Sequence, residues 1–181
     1  MKRKIEEAVE LVAQTIFDWD IVDCVLLIEN ELDLYDPYFF MSLDVYFDGK
    51  LPEGPDRQRQ FSFVGAFETS GMRQKDRFIF QDIPFRIEYK SRERFSNLLG
   101  DSSTPFLREP GTYALYRLKE GRILRQRSHW VEDMRSSLTA LDPLFWHAVR
   151  AMHQSRMEHS LNDMSAALLR DTLTRALAES L

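Results

Sequence analysis

The stretch "DPYFFMSLDVYFDGKLP", residues 36 to 52, decides how the rest of the chain is read. In an extended strand successive side chains point to opposite faces of the sheet. Leu43, Val45 and Phe47 then share one face, and Ser42, Asp44, Tyr46 and Asp48 share the other. Two readings follow. In one, the strand is half-buried, its polar face meets water, and Asp48-Gly49 is its exit turn. In the other, Asp44 faces a cleft and holds a cation.

Working outward, "IVDCVLLI", residues 21 to 28, is a continuous aliphatic run of the kind found in a strand covered on both faces. Ahead of it, Ile5, Ala8, Val9, Val12 and Ile16 recur at helical spacing, which predicts an amphipathic first helix over 3–17. After it, "GKLPEGPDRQRQ", residues 49 to 60, reads as a mobile loop, and "FSFVGAFETSG" fits a helix or a strand equally well. "DRFIFQDIPFRIEYK" predicts two strands, 77–81 and 84–90, joined by a tight turn at Asp82. Ser91 offers an N-cap for a short helix closed by Gly100. Residues 101–111 read as loop, and "TYALYRLKEGRILRQ" as one further strand with a Lys-Glu-Gly turn near its end.

From Ser128 onward the pattern is helical, in three segments. Asp142-Pro143 places a capping residue before a first-turn proline, and Ser160 with Asp163 resembles a capping box. The expected fold class is α+β: a small mixed β-sheet with flanking helices in residues 1–127, followed by a C-terminal helical bundle in residues 128–181. Leu161, Met164, Leu168 and Leu177 form a stripe at helical spacing. It packs on the preceding helix or, if wider than one neighbour covers, forms a homodimer or partner-protein interface.

Composition narrows the function classes. A chain of 181 residues with 44% hydrophobic and 29% charged residues is ordinary for a soluble globular protein. Its formal charge of -5 argues against a dedicated DNA or RNA binder. No segment approaches the roughly 18 apolar residues of a membrane span, and no signal-peptide core follows the N-terminus, so a cytoplasmic protein is expected. The single cysteine, Cys24, reads as a small buried hydrophobe. His129, His147, His153 and His159 read as surface or packing residues, and Trp19, Trp130 and Trp146 as anchors of the core or of a helix interface. Phosphate-loop, dinucleotide, nucleophile-elbow and zinc-protease motifs are all missing.

What remains is two strands with isolated acids. In "PFRIEYK", Phe85, Ile87 and Tyr89 share one face, and Arg86, Glu88 and Lys90 the other. Glu88 then forms an edge-strand salt bridge, or its carboxylate converges with that of Asp44 on a neighbouring strand. Converging oxygens of this kind hold Mg²⁺ in phosphoryl chemistry.

The succession of helix, apolar strand "CVLLI", acidic strand "SLDVYFDG", hairpin, "LYRLKEGRIL" and helical region resembles the nucleotidyltransferase superfamily of DNA polymerase beta, in particular its small bacterial members. The resemblance implies that Asp44 falls on the second acid of the family's Asp-x-Asp segment and Glu88 on its third. Both would then be catalytic Mg²⁺ ligands, with Asp48 or Glu29 assisting and a nucleoside triphosphate as the ligand. Two positions depart from that pattern. Glu29-Asn30 stands where the family has Gly-Ser, and Ser42 stands where it has its first acid. The leading expectation is therefore a degenerate, nucleotidyltransferase-like binding or interaction module. The alternatives are an active Mg²⁺-dependent transferase acting on a small-molecule or protein acceptor, and an unrelated α+β ligand-binding protein.

Overall fold

The computed structural model describes residues 2–28, 40–70, 74–100, 111–141, 143, 144 and 147. Among the described residues six strands form one mixed sheet in the order β3-β4-β5-β2-β1-β6. They are β1 Val22–Ile28, β2 Met41–Phe47, β3 Gly65–Ser70, β4 Lys75–Phe80, β5 Ile83–Ser91 and β6 Arg122–Gln126. β2 and β5 are parallel; the other neighbours are antiparallel. Among the described residues the sheet is accompanied by α1 Lys2–Phe17, α2 Gly54–Gln60, α3 Arg92–Gly100, α4 Gly111–Glu120 and α5 Trp130–Thr139.

The sheet is covered on both faces. On one, Val9, Val12 and Ile16 of α1 pack against Val25, Leu43, Val45, Phe85 and Ile87. On the other, Leu115 and Leu118 of α4 and Val131, Met134 and Leu138 of α5 pack against Cys24, Leu26 and Tyr46. This explains why β1 is apolar without alternation, as a doubly covered strand should be. Burial pushes the Cys24 thiol up to about 12. Trp19 stacks on Tyr89 and Trp130 packs against Tyr46.

The predicted hairpin is present: Phe80 pairs with Ile83, and Gln81 and Asp82 between them both take positive φ, the signature of a tight two-residue turn. Ser91 caps α3, its Oγ accepting a hydrogen bond from the Arg94 N–H at 3.4 Å.

Several expectations are corrected. Residues 54–60, read as loop, form α2, with proline in its first turn and the side chain of Arg57 buried. The undecided segment 61–71 supplies β3. The polar face of β2 does not meet water: Ser42, Asp44 and Tyr46 are buried, with Tyr46 packed among residues of α4 and α5. β5 is not an edge strand, since it lies between β4 and β2.

The largest correction falls on residues 112–126, read as one strand. Residues 111–120 are helix, and only 122–126 are strand. Thr and Tyr favour strands as a rough preference, but Leu115 and Leu118 are spaced to share a helix face, and burying that face decides the outcome. Asp142, Trp146, His153, His159, Glu29 and the stripe of residues 161–177 lie outside the described residues.

Candidate functional site

Asp44 and Glu88 face each other across the parallel β2–β5 pair as direct register partners. The alternation along each strand puts both carboxylates on the α4 side of the sheet, together with Ser42, Arg86 and Lys90. The two candidate acids are thus brought together as their spacing predicts.

Asp48 is not. It lies beyond the end of β2, four residues from Asp44, which is roughly 13 Å along a strand. Its exposed carboxylate accepts a hydrogen bond from Arg92 Nη1 at 2.8 Å.

Asp44 is fully buried, and its charge is met by cations of the chain itself. Arg117, descending from α4, donates from Nε to Asp44 Oδ2 at 2.9 Å and from Nη2 to Oδ1. The same Nη2 donates to Ser42 Oγ at 2.7 Å. Lys90 Nζ donates to Asp44 Oδ2 as well. A fork-on-carboxylate pair of this kind combines two charge-assisted hydrogen bonds with a fixed geometry. Burial pushes the Lys90 ammonium below its ordinary value, against the attraction of Asp44.

Glu88 is similarly engaged. Its Oε1 accepts from Lys75 Nζ at 2.9 Å and lies 2.6 Å from Arg86 Nη2 and 3.8 Å from Arg117 Nη1. Burial alone would raise the Glu88 carboxyl, but the Lys75 hydrogen bond and the charges of Arg117, Lys90 and Arg86 outweigh it and bring the group down to about 2.

Lys90 and Arg86 are pairing partners that the strand alternation offered. Arg117 was missed, because the strand reading of 112–126 hid its place on a helix. A usable signal existed: a lone arginine between Leu115 and Leu118 on an apolar helix face needs a buried carboxylate. Arg57 of α2 holds buried Asp76 on the other face of the sheet, with Nε and Nη2 each 2.8 Å from a carboxylate oxygen.

Mg²⁺ takes hard oxygen ligands at about 2.0–2.1 Å in octahedral array. Here both Asp44 oxygens and one Glu88 oxygen already receive N–H donors, and the cluster is net positive before any dication arrives. Among the described residues no group of three or more His, Cys, Asp or Glu side chains is placed to hold a metal ion.

No family model matches the chain, and no curated protein matches it. Among solved structures it is similar to a nucleotidyltransferase-like protein from Exiguobacterium sibiricum 255-15, with 13% identity and a TM-score of 0.43. The match covers 75% of this chain and 40% of that one, so the chain spans less than half the length of that structure. Among the described residues no helix is long and apolar enough to cross a membrane.

Proposed function

We propose that the chain is a nucleotidyltransferase-like binding or interaction module in which side-chain cations occupy the place of the metal. The observation that carries this reading is the Arg117 guanidinium seated on both oxygens of buried Asp44. A carboxylate held in this way is a poor ligand, because a dication must first displace a buried arginine. Ser42 supports the same reading: its hydroxyl accepts from Arg117 and supplies no charge toward a hard cation.

The test is calorimetric titration of the full chain with ATP, GTP, CTP and UTP, with and without Mg²⁺, beside an assay for transfer of labelled nucleotide. The expected result is that Mg²⁺ adds nothing to triphosphate binding and that no label is transferred. Mg²⁺-dependent transfer that disappears in a folded Asp44→Asn variant would overturn it in favour of an active transferase.

A further inference from the structure

On the α4 side of the sheet, the charged surface continues past Glu88 toward the β3 edge. Lys75 is the register partner of Glu88, Arg77 of Arg86, and Glu68 of Arg77, so all of these side chains stand on one face. Lys75, Arg77 and Arg86 line a groove of about 280 Å³ with Glu68, Thr69 and Ser70.

The charge balance there runs against that of the whole chain, which is formally -5. Five cations on this face, Lys75, Arg77, Arg86, Lys90 and Arg117, stand with three carboxylates, Asp44, Glu88 and Glu68. Lys75 and Arg86 share a single oxygen of Glu88. Among the described residues Arg77, although opposite Glu68, makes no ion pair or hydrogen bond, and the buried Nε of Arg86 has no hydrogen-bond partner.

We propose that this groove binds the phosphate group of a small soluble molecule. The guanidinium forks of Arg77 and Arg86 and the Lys75 ammonium supply the donors, and Ser70, the register partner of Lys75, stands beside them. A dianion matches the surplus of two positive charges, and a concave cationic surface concentrates such ligands. The volume is close to the lower end, about 300 Å³, of small-molecule sites, which leaves room beside the phosphate for part of the molecule that carries it. The proposal does not rest on the absence of metal chemistry at Asp44, since Arg77 and Glu68 stand outside that cluster.

The experiment is titration of the full chain, without divalent cations, with orthophosphate, pyrophosphate and adenosine monophosphate, followed by calorimetry and amide chemical shifts. Saturable binding is expected, weakened at least about tenfold by Arg77→Glu, as for loss of a charge-assisted contact. Arg77 is exposed, so the variant keeps the fold. Glu68→Gln should tighten binding, a gain that misfolding cannot mimic, and Lys50→Ala, at an exposed lysine outside the groove lining, should leave it unchanged. Tighter binding of the monophosphate ester than of orthophosphate assigns the source to an ester, and the reverse order assigns it to free phosphate. The proposal is overturned if none of the three probes binds saturably, or if Arg77→Glu weakens binding no more than Lys50→Ala does.

Discussion

Arg117 Nε lies 2.9 Å from Asp44 Oδ2 although 73 positions separate the two residues in the chain. The contact pins α4 to the centre of the sheet. It also converts the acid that looks most catalytic in the sequence into the anchor of a buried ion-pair cluster. Removing one member of such a cluster differs from removing all of it, because a single deletion leaves an uncompensated buried charge.

Arg117→Met should therefore destabilise the chain by about 3–5 kcal/mol. The triple replacement Asp44→Leu, Lys90→Met and Arg117→Met, which removes the charges together, should cost less than that single change. Urea unfolding midpoints of the two variants decide it, provided their m-values agree.

Glu88 gives a pH dependence of defined sign. Its carboxyl titrates at about 2 in the folded chain against an ordinary 4.5, so the native state holds this proton less tightly than the unfolded state does. The stability it contributes is fully present above the ordinary value and is lost as pH falls from 4.5 toward 2. Glu88→Gln should flatten the stability profile in that window, measured by denaturation at stepped pH.

Gly121 sits where α4 turns into β6. A Cβ added there would lie 2.8 Å from the Arg117 carbonyl oxygen, 2.9 Å from Ile28 Cδ1 and 3.2 Å from Leu26 Cβ. Two of these atoms belong to the backbone or to the first carbon of a buried strand residue, so they yield little. Gly121→Ala should cost about 1–3 kcal/mol, as overpacking does, and show as a lower thermal midpoint.

Cys24 is the only cysteine and is fully buried, with its thiol pushed up to about 12 by desolvation first and by the nearby Asp23 charge second. A thiol reagent at about pH 8 should leave the native chain unmodified and label it once after unfolding.

Much of the sheet was legible because its signals are local. The unbroken apolar run of β1, the alternation in β2 and β5 and the two-residue turn between β4 and β5 each follow from neighbouring residues. The facing of Asp44 and Glu88 follows from the same alternation once β2 and β5 are neighbours. What the local pattern hid was set by contacts distant in sequence. Residues 111–120 become helix because Leu115 and Leu118 are buried against the sheet, and α2 forms where Arg57 reaches Asp76, 19 positions away. Missing α4 meant missing Arg117, and so the partner that decides what Asp44 does.

Manganese binding, read by the electron paramagnetic resonance of free Mn²⁺ at neutral pH, tests the central claim most directly. With Arg117 and Lys90 on Asp44, and Lys75 and Arg86 on Glu88, the full chain should leave the Mn²⁺ signal undiminished up to about millimolar metal, because too few oxygens remain to replace its water. Stoichiometric loss of that signal at micromolar protein, restored by Asp44→Asn in a chain that remains folded, would contradict the account and return Asp44 and Glu88 to the role of metal ligands.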